Sequence, residues 1–250
     1  MNYESCFNAL KSARHALALT GAGVSTLAGI PDFRGKNGIF KNRSTFEEYP
    51  LEQMFYASFF ENHPEVFYRY ADEFWYPIIR NSPPSIAHLT LASLEKNGFI
   101  KQLFTQNIDT LHTKGGSHDV QELHGSFQHH HCMRCGSEMP WNDVMQALAN
   151  KQLPYCLKCH GLVKPGVIFY GDNLNQRLLR HAFKEFAQAD LLLIMGSTLT
   201  VQPVASLPLL TLDNGGKLII VNDGATELDA HATWRFTDIA DFCREINNFQ

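Results

Sequence analysis

The stretch Ala16–Gly35, ALALTGAGVSTLAGIPDFRG, decides how the chain is read. A short apolar run, Ala16 to Leu19, breaks into Gly21, Ala22 and Gly23 and then into a segment ending Pro31-Asp32-Phe33-Arg34. Glycines directly after a strand let the backbone turn tightly and bring N–H groups against a phosphate, and a following helix N-terminus adds partial positive charge. A nucleotide pyrophosphate is the expected guest. The fingerprint is imperfect, because Thr26 stands at its third glycine and no acid follows about 20 residues later. An ordinary glycine turn of an α/β protein stays open on this stretch alone. Asp32, Phe33 and Arg34 place a carboxylate, a ring and a guanidinium together in what reads as a loop, a grouping that rarely serves packing alone.

Farther along, Leu191–Met195 and Leu218–Val221 are near-continuous apolar runs, which suit strands covered on both faces and hence a parallel sheet. They end in Gly196-Ser197-Thr198 and Asn222-Asp223-Gly224, and a strand over 100–105 runs into Gln106-Asn107-Ile108-Asp109. Ligands of open parallel sheets sit at the carboxyl ends of strands, so these polar groups are candidate contacts. Apolar residues at helical spacing predict helices around Tyr3–Leu10, Ala87–Leu94 (stopped by Gly98), Leu179–Phe186 and Ile239–Ile246. Val163 to Tyr170 reads as a return strand.

Two insertions interrupt this alternation. Positions 46–78 hold twelve of the 29 aromatic residues with seven acids and one base, which fits a helical insert with an aromatic inner face. Cys132, Cys135, Cys156 and Cys159 form two C-x-x-C pairs 20 residues apart, a spacing that closes four thiolates tetrahedrally around one zinc ion. Redox-active or disulfide-bonded pairs are the alternative. The expected fold is α/β, a Rossmann-like doubly wound parallel sheet with a smaller lobe. Residues 1–35, 84–130 and 164–250 form the large lobe; the insert (36–83) and the four-cysteine module (131–163) form the small one. The active site belongs in the cleft between them.

With 250 residues, 44% of them hydrophobic, the chain can bury a full core. A net charge of −4 provides no basic surface for nucleic acid, no apolar run reaches membrane-spanning length, and no signal-peptide pattern opens the chain. A cytoplasmic protein without a membrane partner is expected. His124 and the triplet His129–His131 could titrate near neutral pH, since an unperturbed imidazole has a pKa of about 6.5. Spacing alone does not choose among the four.

Seven pieces together match one family. Gly21-Ala22-Gly23-Val24-Ser25, Gly29-Ile30-Pro31-Asp32-Phe33-Arg34-Gly35, Thr105-Gln106-Asn107-Ile108-Asp109, Leu123-His124-Gly125, the four cysteines, Gly196-Ser197 and Val221-Asn222 stand in the order seen in sirtuins. The chain resembles a compact, prokaryotic-type sirtuin catalytic domain nearly end to end. The resemblance implies NAD as a co-substrate, one structural zinc ion and acetylated-lysine proteins or peptides as partners. In the implied reaction the acyl oxygen of the modified lysine attacks the nicotinamide ribose and nicotinamide leaves. The histidine at His124 then deprotonates a ribose hydroxyl, and the acyl group ends on ADP-ribose.

The same resemblance assigns roles. His124 and Asn107 are catalytic. Gly21, Ala22, Gly23, Thr26 and Arg34 approach the phosphates and the adjoining ribose; Phe33 shields the reacting face; Ile108 and Asp109 hold the carboxamide, and Gln106 with Asn107 the ribose. Gly196, Ser197, Thr198 and Asn222 hold the adenosine side, with Ile239 beside the adenine. The substrate strand lies between 168–172 (Ile168, Phe169, Tyr170, Gly171) and 199–201 (Leu199, Val201), held by main-chain hydrogen bonds. Desuccinylase-type relatives carry Tyr-x-x-Arg in the insert; here Tyr68 is followed by Ala71, so uncharged acyl groups are expected over succinyl. Protein ADP-ribosyltransferase and non-catalytic NAD sensor remain the alternatives. Oligomeric state is not read, and a monomer is compatible.

Overall fold

The structure is a computed structural model that describes residues 2–33, 35, 38–40 and 45–250. Ten strands follow in chain order: β1 (Ala16–Thr20), β2 (Thr45–Phe46), β3 (Tyr49–Pro50), β4 (Gln102–Thr105), β5 (Val120–Glu122), β6 (Gly125–Cys132), β7 (Val163–Val167), β8 (Leu191–Met195), β9 (Lys217–Val221) and β10 (Ala232–Phe236). Six of them pair in parallel in the order β10-β9-β8-β1-β4-β5. From β1 the chain builds outward through β4 and β5, then returns to the other flank of β1 for β8, β9 and β10. The direction of winding therefore reverses between β1 and β8, and a reversal of that kind opens a crevice beyond the strand ends.

Burial on both faces explains the unbroken apolar runs. Ala16, Ala18, Leu191, Leu193, Ile219 and Val221 point to one face, against the helices Tyr3–Ser12, Ile86–Lys96 and Ile239–Phe249. Leu17, Leu19, Leu192, Ile194, Leu218 and Ile220 point to the other, against Gln176–Gln188 and Leu207–Asp213. The helix ends follow local chemistry: Asn175 and Asp238 cap N-termini through their side chains, and Gly98 at φ +75° stops Ile86–Lys96.

The aromatic insert is helical, as its composition predicts, with additions. A β2–β3 hairpin precedes the 3-10 turn Leu51–Phe55, the helices Ala57–Asn62 and Pro64–Tyr70, a π-helical turn Ala71–Trp75 and the helix Tyr76–Asn81. Phe55, Phe60, Phe67, Tyr68, Trp75 and Tyr76 form a core of their own, joined by Phe127 of β6 and by Phe169 just beyond β7. The antiparallel pair β6–β7 stands apart from the large sheet. The return strand expected over 163–170 ends at Val167, because the chain there leaves β6. Ile168 N–H donates to the His124 carbonyl, and Tyr170 pairs instead with Phe55 and Ala57 of the insert.

Candidate active site

A cleft of about 720 Å³ opens at the reversal point, between the carboxyl ends of the sheet strands and the aromatic lobe. Of the residues singled out from sequence, it is lined by Gly21, Ala22, Gly23, Thr26, Phe33, Gln106, Asn107, Ile108, His124, Ile168, Phe169, Tyr170, Gly171, Gly196, Ser197, Thr198, Val201, Asn222 and Ile239. Asp109 and Leu199 stand one layer behind, 5% and 2% exposed. Arg34 lies outside the described residues. Phe40, Phe55 and Val167 line the cleft without having been singled out.

The two glycine turns press together. Gly21 N–H donates to the Met195 carbonyl at 3.0 Å and Gly23 N–H to the Gly196 carbonyl at 2.9 Å. A Cβ on Gly23 would fall 2.6 Å from Gly196 Cα, and one on Gly196, at φ +65°, would fall 2.5 Å from Val24 N. The glycines thus allow backbone to touch backbone, and their N–H groups are used within the protein rather than aimed at a phosphate. Donors remaining at this wall include Ala22 N–H, which makes no hydrogen bond among the described residues, and the Ser197 hydroxyl. Ser197 Oγ accepts from Gln106 Nε2 at 2.8 Å and from Leu199 N–H at 3.2 Å, so its own hydrogen is left to donate. Leu199 itself adopts φ +57°, which turns the chain toward Thr200 and Val201 on the opposite rim.

His124 is, among the described residues, the histidine of the four that lines the cleft. His129 is exposed beside Glu138, and His130 is buried against the Tyr76 hydroxyl at 2.9 Å. His131 stands in β6 opposite Lys164. The Nδ1 of His124 lies 3.1 Å from the Gln106 carbonyl, which can only accept. The hydrogen of the neutral ring therefore sits on Nδ1 and Nε2 is the basic nitrogen, as a general base requires.

Behind Asn107 lies a buried polar network that sequence reading missed. Asn107 Nδ2 donates to the Gly21 carbonyl at 3.2 Å and to Ser25 Oγ at 3.1 Å, leaving the amide oxygen for a ligand. Ser25 Oγ donates in turn to Asp109 Oδ2 at 2.6 Å, and Leu111 N–H donates to Asp109 Oδ1 at 2.9 Å. Two histidines back this arrangement. His88 Nδ1 accepts from Ser85 N–H at 3.0 Å while the Ser85 hydroxyl donates to the Val24 carbonyl, so the His88 proton is on Nε2, 3.5 Å from Ser25 Oγ. His112 Nε2 lies 2.8 Å from Thr20 Oγ1, which donates to Thr105 Oγ1; Thr105 Oγ1 accepts from Asn107 N–H at 3.0 Å. Burial lowers the pKa of His88 to about 4, against the pull of Asp109, and lowers that of His112 well below the ordinary range. Both rings are neutral at physiological pH. The only sequence signal for either was the Ser85-x-x-His88 helix start.

At the far end of β6–β7 the four cysteine sulfurs gather within 4.8 Å of one another, with Cys132–Cys159 at 3.5 Å and Cys135–Cys156 at 3.6 Å. Tetrahedral zinc, with bonds of about 2.3 Å, calls for sulfurs about 3.8 Å apart. Arg134 N–H and Lys158 N–H donate to Cys132 Sγ and Cys156 Sγ, and each knuckle closes on a left-handed residue, Gly136 and His160. The donor set fits zinc. Four thiolates fill the coordination shell, so the ion is structural.

The comparisons agree with this geometry. The model of the Sir2 family matches residues 21–203. The chain belongs to the Sir2 family, the sirtuins. A sirtuin described as an NAD-dependent protein deacetylase, from Thermotoga maritima, is 42% identical over 247 residues, covering 98% of this chain and 97% of its own. A solved Sir2 complex with p53 peptide and NAD+ superposes with a TM-score of 0.89 at 40% identity, covering 100% of this chain and 98% of that one. A Sir2 variant with deacetylated p53 peptide and 3'-O-acetyl ADP-ribose gives a TM-score of 0.90 at 41% identity, again over 100% and 98%. Among the described residues no helix of this sirtuin is long and apolar enough to cross a membrane.

Proposed function

We infer that the protein is an NAD-dependent protein-lysine deacetylase that moves the acetyl group from lysine to ADP-ribose and releases nicotinamide. One observation carries the reading: a histidine with its basic nitrogen fixed by the Gln106 carbonyl shares a single cleft with the Asn107 amide, both glycine turns and the open main chain of Gly171. NAD is consumed as a co-substrate; Ala22, Thr26, Ser197, Thr198 and Asn222 supply polar contacts to it, with Ile239 toward the adenine. Asn107 and Gln106 face the ribose, and Ile108 with the buried Asp109 faces the carboxamide.

Phe33 packs edge-on against Phe55 at 5.5 Å and stacks with Trp75 at 5.9 Å, so a ring packed on two sides covers the reacting face and keeps water from an electron-poor sugar carbon. His124 takes the proton from the ribose hydroxyl once nicotinamide has left. Acetyl-lysine proteins or peptides are the substrates, entering between 168–171 and 199–201. We assign the nucleotide to the sheet lobe and the acyl group to the aromatic lobe, with 36–83 and 131–163 as the proposed bounds of the smaller lobe. Four cysteines kept as thiolates agree with a cytoplasmic location.

The test is incubation with acetyl-lysine peptide and NAD, followed by mass analysis. Free lysine, nicotinamide and O-acetyl-ADP-ribose in equal amounts are expected, with no product when NAD is omitted. Deacetylation without NAD, or ADP-ribose left on protein in its place, would overturn the reading.

A further inference from the structure

Lys164 is 7% exposed, an unusual place for an ammonium group, and it lies outside the cleft on β7. Its Nζ is enclosed by the segment that follows. It donates to the Val167 carbonyl at 3.0 Å and to Asp172 Oδ2 at 2.5 Å, and it stands 4.2 Å from the centre of the Phe169 ring. Asp172 ties the segment a second time, because Oδ2 also accepts from Phe169 N–H at 2.9 Å and Asp172 N–H donates to the Phe169 carbonyl. Residues 167–172 are thus wrapped around one buried charge.

This wrapping decides which main-chain groups remain for a partner. The Tyr170 main chain is taken by the insert, its N–H by the Phe55 carbonyl at 2.7 Å and its carbonyl by Ala57 N–H at 3.0 Å. Asp172 N–H closes a turn on the Phe169 carbonyl with Tyr170 and Gly171 at its two central positions, where a glycine in the third place takes the positive φ. Asp172 thus consumes both main-chain groups of Phe169. Gly171 N–H and C=O make no hydrogen bond among the described residues, and Gly171, at φ +97°, lines the cleft.

The geometry points to Lys164 as a positioning residue for substrate: with Asp172 it holds segment 167–172 in the one register that presents Gly171 as a preformed edge for the acyl-lysine peptide strand. A preformed edge raises peptide affinity by removing the ordering cost of the loop. The effect acts through main chain, so it is independent of the peptide's flanking side chains. It also leaves the nucleotide wall untouched, because Lys164 and Asp172 make no hydrogen bond to the turns at Gly21, Gln106 or Ser197. The inference rests on the deacetylase reading given above.

The decisive variant is Lys164→Met, which keeps the chain's length over the Phe169 ring and removes the charge. Asp172, with its side chain 26% exposed, can then turn to water and release the loop. Expected is a rise of roughly tenfold or more in KM for acetyl-lysine peptides, by a similar factor for peptides of unrelated flanking sequence. KM for NAD, zinc content and melting temperature stay near wild type, and Lys164→Arg recovers most of the loss. Asp172→Asn is the second variant, should Lys164→Met fail to fold; its neutral amide still accepts from Phe169 N–H, and a smaller rise confined to peptide KM is expected. Unchanged peptide KM in a folded variant would overturn the clamp, as would equal rises for peptide and NAD. Wild-type protein inactive on acetyl peptide and NAD would overturn the deacetylase reading itself, and the clamp with it.

Discussion

The Ser25 hydroxyl donates to the Asp109 carboxylate at 2.6 Å while accepting from Asn107, so one small side chain sets the direction of an amide at the cleft wall and of the buried carboxylate behind it. Removing it by Ser25→Ala leaves a buried carboxylate and a buried amide each short of a partner. An unsatisfied buried group costs about 1–3 kcal/mol. Loss of nicotinamide release by tenfold or more should accompany a lower melting temperature. A variant that released nicotinamide at the wild-type rate would remove the network from the account of the site.

His124→Ala should lower deacetylation by roughly 10²–10⁴-fold, the usual contribution of a positioned general base. The ring is partly exposed at the cleft wall, so the melting temperature should change little. His88 makes the contrast. His88→Gln keeps a donor at the position of Nε2 and should retain activity, whereas His88→Asn reaches only the position of Nδ1 and should behave like Ser25→Ala. Steady-state rates and thermal melts on the three variants distinguish these roles.

Stability should fall toward acid pH. In the folded chain His88 has a pKa lowered to about 4 by burial, so an unfolded chain binds a proton that the folded one refuses. Its contribution is complete above the ordinary histidine value near 6.5 and is lost as pH falls toward 4, at up to about 1.4 kcal/mol per pH unit. His112 and His130 act in the same direction, His130 being lowered by burial to about 4 as well. Glu122 opposes them: burial raises its carboxyl to about 7, so its stabilising protonated form is lost as pH rises from about 4.5 through 7. The buried histidines outweigh one acid. Denaturant midpoints should be lower near pH 5 than near pH 7, and His88→Gln should flatten that slope; an unchanged slope would assign the effect elsewhere.

Metal analysis should find one zinc per chain. A strong chelator should melt the β6–β7 ribbon, because the binding free energy of a structural zinc is also folding free energy. Hydrogen exchange should rise first over 131–163. A chelated chain that kept this region protected while losing activity would show that the ion has a direct part in the chemistry.

Acetyl should be removed much faster than succinyl from the same peptide. Tyr68 is 1% exposed and its hydroxyl donates to the Val163 carbonyl, so it is turned away from the cleft, and Ala71 is fully buried. No lysine or arginine is among the described residues lining the cleft. A succinyl carboxylate beside Phe33, Phe55 and Ile108 would meet no counter-charge among the described residues. Competition between the two acyl peptides measures the preference directly.

Much of the fold was legible because its signals are local. Leu191–Met195 and Leu218–Val221 declared a doubly covered sheet, and the cysteine spacing declared the metal module. β5 and β10 were missed: Val120–Glu122 is three half-buried residues, and Ala232–Phe236 mixes exposed with buried positions, so neither carries a clean period. The strand over 163–170 was read too long because its apolar residues continue while its hydrogen bonds change partners at Ile168. Within the site, motif residues could be named. The groups that aim them could not, since Ser25 meets His88 across 63 residues of chain and Thr20 meets His112 across 92, and no local pattern tells that these side chains meet.

The aromatic core of the insert and the sheet are separate clusters, and Phe33 packs at the edge of the first while the Gly21 and Gly196 turns belong to the second. On the proposed roles, the acyl group and the phosphates therefore draw on different foundations, while Phe33 and Ile108 of the first cluster reach across to the nicotinamide ribose. A lineage could exchange rings around the lysine tunnel to accept a bulkier modification and leave the dinucleotide cradle undisturbed, with the boundary between the two lying along a single wall of the cleft.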